Sequence, residues 1–196
     1  MQVKQKTTLN EILVCVDPGE SVSGVVILRN GEIVLSENAL HDRLFTIING
    51  TNIQKSGQMT VLVEDIRPYG LKLSPQIIET CKFLGELRYR LQRAKIDVQW
   101  IARNSVKKWV FDAFPGVCIP RIQAKIAKKG AKNRNGEDRQ PSFVWMDDRI
   151  IIAAMKECWK IETPKPGKTN RYGIKAHAWQ ALALGTYFQK RTPCCL

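Results

Sequence analysis

"LVCVDPGESVSGVVILRNGEIVL", residues 13–35, carries an apolar run up to a single acid and then turns back twice. Ile12 to Val16 is apolar throughout, Asp17 ends it, and Pro18-Gly19 supplies turn chemistry. Val22 to Leu28 and Glu32 to Leu35 follow as two further strand-like runs. Asn30-Gly31 joins them, a dipeptide suited to a two-residue hairpin. Three strands in an antiparallel meander are predicted. The question is why an acid should close the most apolar of them.

Outward from this stretch, strands and helices alternate without internal repeats. Leu40, Leu44, Ile47 and Ile48 recur at helical spacing behind Asn38, a candidate cap, and the polar residues 49–58 release the chain. "TVLVE" predicts a fourth strand ending on Glu64. In "SPQIIETCKFLGELRYRLQR", Ser74 is a cap, Pro75 suits the first helical position, and Ile77, Cys81, Leu84, Leu87 and Leu91 share a face. Ile96 to Ile101 reads as a fifth strand, followed by a helix capped by Asn104 or Ser105 and running to about Phe114. Residues 115–141, "PGVCIPRIQAKIAKKGAKNRNGEDRQP", hold loop residues and positive charge with little core, and are read as a basic insertion. Two closing helices are predicted, Asp147 to about Trp159 and Ile174 to about Phe188, separated by the linker "TPKPGKTNRYG".

Three antiparallel strands followed by strand-helix units imply an α/β fold with a mixed five-stranded sheet covered by helices, in one domain over residues 1–196. If the fourth strand lies parallel beside the first, Asp17 and Glu64 emerge at the same end, where such sheets place their sites. Two adjacent carboxylates repel each other. A divalent cation between them resolves the conflict, since Mg²⁺ takes oxygen ligands from carboxylates and phosphates.

The chain has 196 residues, 44% of them hydrophobic, and its 31 Lys and Arg against 18 Asp and Glu give a net charge of +13. Such a surplus points to an anionic partner, nucleic acid before membrane. No stretch approaches the roughly 18 unbroken apolar residues of a spanning helix, and residues 1–10 lack a signal-peptide core, so a cytoplasmic setting is expected. The six cysteines form no C-x-x-C pair, against both a zinc site and a disulfide framework. The Cys194-Cys195-Leu196 end does not fit a prenylation box, because Pro193 stands where the cysteine is needed.

With these elements in place the sequence resembles the RuvC-like Holliday-junction resolvases of the RNase H-like superfamily. The resemblance is carried by "VCVDPGESVSGVVIL", "VLVEDIRP" and "GIKAHAWQALALG", the last similar to a closing H/D-x-x-D-A-L-A helix. "PYGLKLSPQIIETCKFLGELRYRL" and "VQWIARNSVKKWV" are similar to the following family segments, so that only residues 115–141 fall outside it. The style also resembles RuvC-like proteins of phages and prophages. The resemblance implies an RNase H-like fold and a structure-selective DNA endonuclease that resolves Holliday junctions or other branched DNA. It also implies two Mg²⁺ ions, with Mn²⁺ as substitute, about 4 Å apart on the scissile phosphate, and a homodimer. The alternatives are a nucleic-acid-binding protein of this fold that has lost catalysis and, from another class, an actin-like or hexokinase-like ATPase.

By position, Asp17 and Glu64 match the family's first two metal ligands, and His177 matches the first position of the helical pair. Gln180 stands where the family has a final Asp: its amide oxygen can ligate, but it adds no charge and cannot act as a base. Three of the four have a plainer reading: Asp17 as a turn acid, His177 as an interior histidine, Gln180 as a relic. Asp147 and Asp148 favour a helix N-terminus, or supply the missing carboxylate. Asp65 should face the other side of its strand. A phosphate track is read in Lys107, Lys108, Arg121, Lys125, Lys128, Lys129, Lys132 and Arg134, beginning at Arg103. Tyr69 is read either as a base-stacking residue or as loop packing.

Overall fold

A computed structural model describes residues 11–53, 59–66, 74–133, 135–137, 139–162 and 172–191. Strands β1 (Ile12–Asp17), β2 (Val22–Arg29) and β3 (Glu32–Leu40) form the antiparallel meander. Helix α1 (His41–Ile53) leads to β4 (Met59–Asp65), which pairs parallel with β1. Helix α2 (Pro75–Arg93) then returns the chain to β5 (Asp97–Ala102), parallel with β4. The sheet order is β3-β2-β1-β4-β5. Helices α3 (Arg103–Ala113), α4 (Pro115–Lys129), α5 (Asp148–Cys158) and α6 (Ala178–Arg191) follow, with a short 3-10 turn at Phe143–Trp145. The mixed five-stranded sheet with three antiparallel strands first is as the sequence predicts.

Strand alternation divides the core in two. Val14, Val16, Val61 and Val63 point to one face, where Leu44, Ile48, Phe83 and Leu87 of α1 and α2 cover them. Leu13, Cys15 and Leu62 point to the other, under α3 to α6. Each such buried aliphatic side chain contributes about 1.5–3 kcal/mol relative to exposure. By the same alternation Asp17 and Glu64 fall on the α3 to α6 face. Asp65 falls opposite, beside Cys81, Arg88 and Trp100, as expected.

The structure corrects the reading of residues 115–141 as core-poor loop. Pro115 to Lys129 is a helix whose Val117, Cys118, Ile122 and Ile126 are buried. Their spacing follows the helical period, and their burial outweighs Pro120, which removes one internal hydrogen bond in the second turn. Gly130, with φ of 56°, closes the helix in the left-handed conformation.

Smaller corrections share one cause, that tertiary partners decide ends and faces. Ser74 caps α2 as predicted, its Oγ accepting from the Ile77 N–H at 3.3 Å, but Thr80, Phe83, Leu84, Leu87 and Leu91 form the buried face and Cys81 is exposed. β3 runs on to Leu40, so Asn38 lies in a strand and does not cap α1. It instead accepts from the Ala178 N–H at 3.1 Å and satisfies a donor at the start of α6. That helix begins at Ala178, not Ile174, though Ile174 is itself buried. α3 begins at Arg103 with Ala102 as its cap residue, ahead of Asn104 and Ser105. Among the described residues no helix is long and apolar enough to cross a membrane.

Candidate active site

The parallel β1–β4 register pairs Val16 with Val63, so the next residues, Asp17 and Glu64, stand level at the carboxyl ends of adjacent strands. Both are buried, at 3% and 5% exposure. Pro18-Gly19 turns the chain sharply behind Asp17: a Cβ on Gly19 would lie 2.3 Å from the Val22 carbonyl oxygen. His41, stacked on Phe83, reaches the Gly19 carbonyl at 3.2 Å and pins this turn.

His177 arrives from the other end of the chain. Asp17 pairs with Gly24 across β1 and β2, and the start of α6 rests on Gly24, where a Cβ would lie 2.2 Å from the His177 carbonyl carbon. The close approach sets His177 Nδ1 at 2.9 Å from Asp17 Oδ2. With its proton on Nδ1 donated to Asp17, the ring keeps Nε2 for a ligand. The hydrogen bond to Asp17 raises the His177 pKa against the opposing effect of burial.

Sequence reasoning placed Arg103 in a phosphate track; the structure places it between the carboxylates. Glu64 pairs with Ile101 across β4 and β5, so the first residue of α3 falls beside it. Arg103 Nη1 donates to Glu64 at 3.0 and 3.2 Å and lies 3.8 Å from Asp17, while Nη2 donates to Asp148 at 2.6 Å. Burial lowers the Arg103 pKa, but Glu64, Asp17 and Asp148 together more than offset it. Burial, then Asp17 alongside, push the Glu64 carboxyl well above the usual carboxylate range, against the pull of Arg103. The available signal was positional: Arg103 comes just after the fifth strand, which ends at Ala102, as Asp17 and Glu64 stand at the ends of theirs.

Asp148 and Asp147 separate in role. Asp148 joins the site through Arg103, whereas Asp147 accepts from the Ile150 N–H at 3.2 Å and caps α5. Lys125 donates to Asp147 at 2.9 Å and to the Trp145 carbonyl at 2.9 Å, which makes it a tie between α4 and α5. Lys107 is likewise tied, donating to the Met146 carbonyl at 3.0 Å. Lys108 pairs with Asp112, and Arg121 donates to the Val117 carbonyl within its own helix. Lys128, Lys129 and Lys132 are exposed at and just beyond the end of α4. Tyr69 and Arg134 lie outside the described residues.

Gln180 sits one turn into α6, since the His177 carbonyl accepts from both Gln180 and Ala181 N–H groups. Its side chain is buried, and Nε2 has no hydrogen-bond partner in the structure. Such an unmet buried donor costs about 1–3 kcal/mol. Among the described residues no group of three or more His, Cys, Asp or Glu closes round one point that could hold a cation; Asp17 and Glu64 converge on the guanidinium instead. Two buried carboxylates and the imidazole that Asp17 holds are nonetheless donor types that suit a divalent cation once Arg103 moves.

No protein-family model and no curated protein matches the chain. Solved structures do. Thermus thermophilus RuvC is 12% identical, with a TM-score of 0.51 over 91% of this chain and 95% of that one. T. thermophilus RuvC in complex with a Holliday junction substrate gives the same identity and TM-score over 92% and 96%. The yeast mitochondrial Holliday junction resolvase Ydc2 is 11% identical, with a TM-score of 0.41 over 96% and 83%. Together with the strand order and the antiparallel first three strands, the likeness to RuvC shows that this chain has the RNase H-like fold over nearly all of its length.

Proposed function

We propose that the protein is a divalent-metal-dependent, structure-selective DNA endonuclease acting on branched DNA, including Holliday junctions. The observation that carries this is the buried pairing of Asp17 and Glu64 at the ends of parallel strands, where Arg103 already stands as a counter-cation. The net charge of +13 favours a polyanionic substrate, and the RuvC structure of the same fold is bound to a Holliday junction. A homodimer would supply the two sites that paired cuts require.

Asp17, Glu64 and His177 would hold Mg²⁺ or Mn²⁺, with Gln180 as a neutral ligand and Asp148 within reach. Bound there, such an ion lowers the pKa of water and offsets charge on the phosphodiester. The chain's own residues do the positioning. Asp17 orients the His177 ring through Nδ1, and the sheet fixes the spacing of the two carboxylates. Buried surroundings strengthen every electrostatic contact relative to water.

Cleavage assays on four-way junction, flap and linear duplex DNA with Mg²⁺ or Mn²⁺ test this proposal. Junction-selective cutting that requires the ion is expected. Binding without cutting in either ion would favour the second reading, a catalytically impaired DNA-binding protein, to which the neutral Gln180 and the bridging Arg103 point.

Replacing Lys128 and Lys129 by Ala should weaken binding to all sequences and lower the salt slope by roughly 0.9 for each phosphate no longer neutralised, as read by fluorescence anisotropy across a salt series. Lys125→Ala should instead lower the melting temperature, because it breaks the tie to Asp147. Gln180→Asp should destabilise the ion-free protein, since it puts an ionisable carboxyl at a buried position. Mn²⁺ should restore that stability if position 180 faces the ion, which a thermal melt with and without Mn²⁺ would show.

A further inference from the structure

Arg103 occupies two environments at once. Its Nη1 lies among buried oxygens, 3.0 Å from Glu64 and 3.8 Å from Asp17. Nη2 reaches outward to Asp148, whose side chain is 62% exposed. A divalent ion held by Asp17 and Glu64 would need the same carboxylate oxygens as ligands. The ion and the guanidinium cannot share those oxygens. Arginine keeps its charge at every working pH, so deprotonation does not release it; a metal ion must compete with it for the oxygens, and a competing anion helps by drawing it away. A phosphate diester is such an anion, and arginine binds it through two parallel hydrogen bonds. Asp148 at the mouth gives Nη2 a foothold while Nη1 leaves Glu64. Lys107 and Lys125 cannot take this part, being held by the Met146 and Trp145 carbonyls and by Asp147.

We propose that Arg103 is a specificity-determining residue that holds the metal position closed until a DNA phosphate draws its guanidinium outward, so that the cation and DNA bind together. The proposal rests on reading Asp17 and Glu64 as metal ligands. Free protein then binds the ion weakly and is restrained from random cutting. By linkage, DNA strengthens ion binding by the same factor as the ion strengthens DNA binding.

The test is calorimetric titration of the full chain with Mn²⁺ alone, for the parent, Arg103→Gln, Arg103→Lys and Asp17→Asn. Arg103→Gln should bind Mn²⁺ on the order of tenfold more tightly. Arg103→Lys, which keeps the charge but not the two-pronged bridge, should fall between it and the parent. Thermal melts give a second readout: Mn²⁺ should raise the melting temperature of Arg103→Gln more than that of the parent. In EDTA, Arg103→Gln should also bind junction DNA more weakly, with a salt slope smaller by roughly 0.9. Equal or weaker Mn²⁺ binding by Arg103→Gln, with binding still abolished by Asp17→Asn, would overturn the role of Arg103 and leave the metal site standing. Absence of any Mn²⁺ binding that depends on Asp17 would overturn both.

Discussion

Exchanging Asp17 for Asn, or Glu64 for Gln, is expected to lower the single-turnover rate of junction cleavage by about three orders of magnitude, or some 4 kcal/mol of barrier. Each exchange keeps the shape of the side chain and removes one negative charge from a site that needs it to hold a cation. Folding should survive. Asp17, Glu64 and Asp148 face a single guanidinium in the ion-free protein, so losing one carboxylate relieves repulsion and still leaves Arg103 paired. The melting temperature without metal should therefore hold or rise for Glu64→Gln and change little for Asp17→Asn, whose side chain also meets His177, and DNA affinity in EDTA should hold or improve. A loss of cleavage with no loss of stability separates a chemical role from a structural one. Cleavage at the parent rate by either variant would place the chemistry elsewhere.

Glu64→Gln adds a distinction within the pair. The carboxyl of Glu64 is pushed upward by burial and by Asp17, so it resists ionisation in the absence of compensating charge. The amide of Gln resembles the protonated acid in shape and charge. Glu64→Gln should consequently disturb the ion-free structure less than Asp17→Asn, which also alters the partner of His177 Nδ1.

The carboxylate pair was legible in the sequence because strands announce themselves by apolar runs and each run stops at an acid. Their adjacency followed once the fourth strand was laid beside the first. Arg103 was not legible as a site residue, because its place depends on the β4–β5 register, and in the sequence it merges with Lys107 and Lys108 into one basic stretch. Helix α4 was hidden by Pro115, Gly116 and Pro120, residues that ordinarily break helices, although Val117, Cys118, Ile122 and Ile126 kept the period. The tie from Lys125 to Asp147 and the cap from Asn38 to Ala178 span 22 and 140 residues. Local pattern cannot reveal partners at that distance. The partner of a lysine read into a phosphate track and the true role of an asparagine read as the cap of the next helix are both set by long-range packing.

The placement of His177 depends on a residue with no side chain. Gly24 does not adopt a positive φ, so backbone freedom does not account for it; close approach does. A Cβ there would lie 2.2 Å from the His177 carbonyl carbon, 2.3 Å from its oxygen and 2.6 Å from the Ala178 nitrogen. All three are backbone atoms at the head of α6, held by the Asn38 cap and by the buried face of the helix, so no flexible side chain can yield. Gly24→Ala should force the head of α6 away from the sheet and destabilise the fold by about 1–3 kcal/mol or more, as overpacking does. At roughly 2–4 °C per kcal/mol for a chain of this size, that is a melting shift of several degrees. The same displacement carries His177 away from Asp17, and a misplacement of about 1 Å is enough to lower a rate some hundredfold. Gly85 in α2 is the control: nothing lies within 4 Å of a Cβ built there, so Gly85→Ala should stabilise by about 0.5–1 kcal/mol through helix propensity. Cleavage should then be unaffected. Opposite signs of melting shift for the same chemical change would show that Gly24 is kept for its close approach to α6. A Gly24→Ala protein with unchanged melting temperature and cleavage rate would show that the head of α6 is free to move and that His177 is not held by this packing.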